Sequence, residues 1–131
     1  MKIEDLKNAP QWLLDADTKN ADVDIINIGD VVWHSGEWLG GEWRDGIWLG
    51  GSWHGGDWHN GKWYLGTWYG GTWHGGNWYN GLWVNGTWYG GNWVGGDWCN
   101  GLWVNGSWYD STWDPTPDAL IDEDVILPLP F

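Results

Sequence analysis

The sequence predicts an all-β repeat protein, a β-solenoid with five residues per face, about twenty per coil, and Trp turned inward. Two observations carry that prediction. Trp recurs at 33, 38, 43 and every fifth residue to 113, seventeen in all, with Trp12 alone outside the series. The composition is the second: 18 Trp and 23 Gly in 131 residues, 42% hydrophobic, give too much buried-type surface for a disordered chain despite a net charge of -13. A period of five fits neither the 3.6 of a helix nor the 2 of a plain strand. It fits a short extended stretch followed by a bend. Gly stands two residues before each Trp from Gly36 to Gly106, so the unit reads Gly-x-Trp-x-(Gly/Asn/Asp), as in Gly76-Asn77-Trp78-Tyr79-Asn80.

Two architectures satisfy that unit. Asn-Gly and Gly-Gly pairs could form type I′ turns in an antiparallel meander of three-residue strands, or each pentad could be one side of a coil stacked about 4.8 Å above the last. Burial favours the coil. A meander would leave the indoles on one exposed face, far beyond the few hundred Å² of apolar patch a monomer tolerates, whereas a solenoid encloses them. Trp38, Trp58, Trp78 and Trp98 then belong to the core, with the preceding Gly making room. Comparing only the variable positions of the pentads, matches number 8 of 39 at a shift of fifteen and 13 of 36 at twenty. That excess predicts a four-sided coil with ladders such as Asn60, Asn80, Asn100 and His34, His54, His74.

The pentads carry a resemblance. Ala21-Asp22-Val23-Asp24-Ile25 resembles the Ala-(Asp/Asn)-Leu-x-x unit of pentapeptide-repeat proteins, Ile26-Asn27-Ile28-Gly29-Asp30 follows in phase, and Val31-Val32-Trp33-His34-Ser35 leads into the Gly-x-Trp series. The resemblance covers residues 21–115 and implies a quadrilateral β-helix; Trp at every centre and Gly at every small position depart from it. Gly41-Glu42-Trp43-Arg44-Asp45-Gly46 is also similar to part of a MORN repeat, without that repeat's spacing. The chain further resembles Trp-Gly pentad proteins of bacteriophages and bacteria, a likeness with no function attached.

The ends lie outside the series. Residues 1–20 read as an N-terminal cap, with Pro10-Gln11-Trp12-Leu13-Leu14-Asp15-Ala16 as a short helix whose Trp12, Leu13 and Leu14 offer an apolar face, because a solenoid needs its ends covered. Residues 116–131 join an acidic cluster to an apolar terminus in which Pro128 and Pro130 forbid a helix. As a free tail, Val125, Ile126, Leu127, Leu129 and Phe131 would be sticky, so they either fold back over the last coil or dock onto another chain. Glu4 and Asp5 interrupt any apolar signal stretch, so no Sec signal is expected and synthesis is expected in the cytoplasm.

The chemistry-bearing residues are few. No nucleophile elbow, His-Glu-x-x-His or phosphate loop appears, so neither an enzyme nor a cofactor is expected, and the acidic balance excludes phosphate-backbone binding. No run approaches a membrane span. Cys99 reads as a plain thiol. A four-sided coil would stack His54 and His74, weak metal candidates, and Tyr69, Tyr89 and Tyr109, a flat aromatic ladder suited to a glycan. The pentapeptide resemblance implies a further possibility, mimicry of DNA to inhibit gyrase. Against it, residues 36–115 hold seven acids and Gly66 to Asn80 none. The leading expectation is a non-enzymatic structural protein, with a phage particle as its setting, that joins other proteins or further copies of itself through its ends or tail. A glycan-binding module using the Tyr ladder is the alternative.

Overall fold

The computed structural model describes residues 1–27 and 29–109. The chain forms a parallel β-solenoid of about five turns. A 3-10 turn (Ile3–Asp5) and a helix, α1 (Gln11–Asp15), precede two long strands, β1 (Asp17–Ile26) and β2 (Asp30–Gly40). Two-residue strands then recur at each Trp, beginning with β3 (Glu42–Trp43) and β4 (Ile47–Trp48) and reaching β14 (Asp97–Trp98), β15 (Leu102–Trp103) and β16 (Ser107–Trp108).

All pairing among the pentads is parallel, which excludes the meander. Its register corrects the predicted twenty-residue coil to fifteen. Trp33 pairs with Trp48, Trp38 with Trp53 and Trp43 with Trp58, so the solenoid is three-sided. One face carries Trp33, Trp48, Trp63, Trp78, Trp93 and Trp108. The second carries Trp38 to Trp98 and the third Trp43 to Trp103.

Indole size explains the count. Successive Trp side chains meet edge to face, with ring centroids 5.5–5.9 Å apart, and three of them close each layer. A fourth side would draw the rings apart and open an axial void, which close-packed interiors do not keep. Between layers the rings stack nearly parallel at 4.7–5.0 Å, the spacing set by strand ladders. Leu49 N–H donates to Trp33 O at 2.8 Å and Lys62 N–H to Gly46 O at 2.9 Å, a scheme repeated coil after coil. Trp38, Trp58 and Trp78 are fully buried and Trp98 is 7% exposed, as the core reading requires.

The glycines act mainly at the corners. Gly36 to Gly106, two residues before each Trp, have φ between 105° and 136°, a region that L side chains rarely occupy. From Gly51 onward each also lies on the corner glycine one coil earlier: a Cβ on Gly66 would run into the Gly51 carbonyl oxygen and come within 3.2 Å of Trp48 Nε1. The room they provide is thus along the axis as well as toward the core. Several preceding Asn residues satisfy the bend directly, with Gly81 N–H donating to Asn80 Oδ1 and Gly86 N–H to Asn85 Oδ1, both at 2.9 Å.

The N-terminal end departs from the expected phase. Residues 17–26 run antiparallel to β2, with Val23 opposite Trp33 and Ile26 opposite Asp30, so the pentapeptide-like units Ala21-Ile25 and Ile26-Asp30 form a hairpin instead of a coil. Asn27 at φ 51° and Gly29 at φ 87°, both in the left-handed region, lie between the two antiparallel strands. β1 thereby covers the outer edge of the first coil along two faces. Helix α1 packs on the third. Leu13 is fully buried there, but Leu14 is 47% exposed and leaves the apolar face predicted for it. Trp12 lies 5.1 Å from Trp43 and 6.4 Å from Trp38. Replacing it with Ala should uncover both rings and lower the unfolding free energy by about 2–4 kcal/mol, at the lower end of large aromatic truncations because Trp12 is only half-buried; urea titration followed by far-ultraviolet circular dichroism measures it.

Candidate functional site: a histidine–carboxylate band

Residues on either side of each inward Trp point outward, so every pentad presents two side chains beside its Trp, one from the strand and one from the residue that follows it. A fifteen-residue coil sorts these differently from a twenty-residue one. Tyr69, Tyr89 and Tyr109 fall on the second, third and first faces, where their N–H groups donate to Trp53, Trp73 and Trp93, and no shared platform forms. His34, His54 and His74 separate in the same way, so His54 and His74 do not form the expected metal pair. The Asn60, Asn80, Asn100 column is likewise split; the Asn ladder that does form joins Asn92 Nδ2 to Asn77 Oδ1 at 2.8 Å. Aromatic stacking occurs between residues fifteen apart: Tyr64 on Tyr79 at 4.8 Å, Tyr69 on His54 at 5.0 Å, and His59 on His74 at 4.8 Å.

Each of the four His side chains faces a carboxylate. His34 Nε2 lies 2.9 Å from Asp24, His54 3.2 Å from Glu37, His59 3.2 Å from Glu42 and His74 3.8 Å from Asp57. The last three share one spacing of seventeen, a carboxylate just before one Trp and a His just after the Trp of the next coil. That spacing was visible in the sequence, but it acquires meaning only once the coil length is known.

The pairs concentrate on the third face. Glu42 and Asp57 are direct ladder partners on β3 and the strand Asp57–Trp58, and His59 follows Trp58 on the same outward side. Arg44 Nη2 reaches Glu42 Oε1 at 3.2 Å and Oε2 at 3.3 Å. The hydrogen bond from His59 and, next, the charge of Arg44 hold the Glu42 carboxyl below its ordinary value. One potential ligand atom from each of Glu42, Asp57 and His59 lies within 4.8 Å of the others. All three side chains are accessible to solvent.

Elsewhere the outward residues offer less. Cys99 is a half-buried free thiol above Val84 on the second face, and Val125, Ile126, Leu127, Leu129 and Phe131 lie outside the described residues. No helix among the described residues is long and apolar enough to cross a membrane. No family model matches the chain, and neither a curated protein nor a solved structure is significantly similar to it.

Proposed function

We propose that the chain is a non-enzymatic rigid element of a larger protein assembly, joined through its C-terminal coil or the residues that follow. The observation that supports this most is the rigid core, parallel ladders around indoles stacked at 4.7–5.0 Å between layers. β1 and α1 seal the first coil, so strand addition through main-chain hydrogen bonds is left to the C-terminal side. The apolar run Val125 to Phe131 adds a second element suited to docking, and a virion is the setting to which the Trp-Gly resemblance leads.

A tagged full-length chain isolated from its native source should appear by native mass spectrometry in a complex well above its own 14.9 kDa. Its cross-links should map to residues 95–131. Ile126→Asp combined with Leu129→Asp should release a monomer with an unchanged melting temperature. A wild-type monomer, or cross-links confined to residues 1–26, would exclude this role.

A further inference from the structure

We propose that Glu42, Asp57 and His59 bind a divalent transition-metal ion of the Zn²⁺ class, bridging the first two coils on the third face. The donor set suits such an ion, since Zn²⁺ takes imidazole nitrogen together with carboxylate oxygen and commonly keeps a fourth position for water. Two of the donors already stand close to the required separation. Bonds of about 2.0–2.1 Å in a tetrahedron place ligand atoms roughly 3.3 Å apart, and Glu42 Oε1 is 3.2 Å from His59 Nε2.

The third donor is held nearby by the backbone. Glu42 and Asp57 are opposed in the ladder, and His59 directly follows the strand Asp57–Trp58, with one inward Trp between it and Asp57. One ligand atom from each of the three lies within 4.8 Å of the others, so ion binding requires a side-chain rotation at Asp57 on a backbone held by the ladder. Like charges directly opposite on neighbouring strands are destabilising. Arg44 provides one formal positive charge against the two carboxylates; a divalent ion would neutralise both. The guanidinium contact is solvent-exposed, with side chains 55% and 49% accessible, and exposed ion pairs of that kind are weak enough to be displaced.

The second face supplies an internal comparison. His54 and Glu37 repeat the His59–Glu42 geometry at 3.2 Å, but the outward residue opposite Glu37 is Ser52, so that pair lacks the second carboxylate. A two-donor site should bind far more weakly.

Zinc chloride would be titrated calorimetrically into the full-length chain, previously stripped with chelator and carrying Cys99→Ser to remove the thiol. We expect saturable binding of about one ion per chain and a higher melting temperature, because an ion bound only by the folded state stabilises it. His59→Gln and Glu42→Gln should each weaken that binding at least tenfold, while His54→Gln should change it less than twofold. Circular dichroism of the metal-free variants separates lost binding from lost folding. Absence of a saturable site, or equal effects of His54→Gln and His59→Gln in folded proteins, would overturn the assignment.

Discussion

Replacing Gly71 with Ala should destabilise the solenoid by more than about 3 kcal/mol, while the same change at the adjacent Gly70 should be nearly silent. Gly71 occupies a corner with φ 112°, and holding a non-glycine residue in such a region costs of order 1–3 kcal/mol. The new Cβ would also run into the Gly56 carbonyl oxygen and come within 3.0 Å of Gly56 N. Those are backbone atoms in a hydrogen-bonded ladder, so neither can move aside without disturbing the coil beneath. At Gly70 the nearest atom to a Cβ is His54 O at 3.7 Å, an ordinary contact. Ala there should fall within about 0.5 kcal/mol of wild type, as surface substitutions usually do. Urea unfolding of the two variants side by side measures the difference. Equal midpoints would mean that the corner glycines are not conformationally required.

This contrast shows where sequence and structure part. The five-residue period follows from the residues themselves, and burial of so many indoles favours inward Trp and stacked coils over the meander; the parallel ladders decide between them. The number of sides does not follow. Every corner has Gly and every centre Trp, so sequence identity at those positions is the same at fifteen and at twenty, and only the outward positions could distinguish them. Those carry little packing constraint, and their better match at twenty pointed to four sides. Edge-to-face closure of three indoles decides the matter in three dimensions. With the coil shortened, the Tyr ladder dissolves and His54, His59 and His74 acquire carboxylate partners seventeen positions away. The hairpin at the N-terminus was hidden for a related reason: Ala21-Asp22-Val23-Asp24-Ile25 alternates as a solenoid pentad does, and what distinguishes it is the reversal at Asn27 and Gly29.

Trp73→Ala should be among the most damaging single changes in the core. The ring is fully buried, stacked at 4.7 Å on Trp58 and 4.8 Å on Trp88, and edge to face with Trp68 and Trp78 at 5.8 Å each. Truncating a buried Trp costs about 3–5 kcal/mol in transfer and cavity terms, and each aromatic pair contributes roughly a further 0.5–1.5 kcal/mol. We therefore expect a loss of at least about 5 kcal/mol, comparable with the whole stability of an ordinary domain. Trp103 has Trp88 as its one stacked partner, at 5.0 Å, with no further layer of its column among the described residues, so Trp103→Ala should cost about half as much. Trp73→Phe tests a second contribution. Trp73 Nε1 is buried without a hydrogen-bond partner, and such a donor carries a desolvation penalty of about 1–3 kcal/mol. Removing it with the smaller ring should offset part of the lost area, placing Phe well above Ala. Because each coil interacts chiefly with its neighbours, the break at Trp73 should also divide the unfolding. Amide exchange would then show the capped coils before residue 58 protected after those beyond residue 88 have opened. A single cooperative transition at wild-type stability would refute the stacked indoles as the source of the solenoid's cohesion.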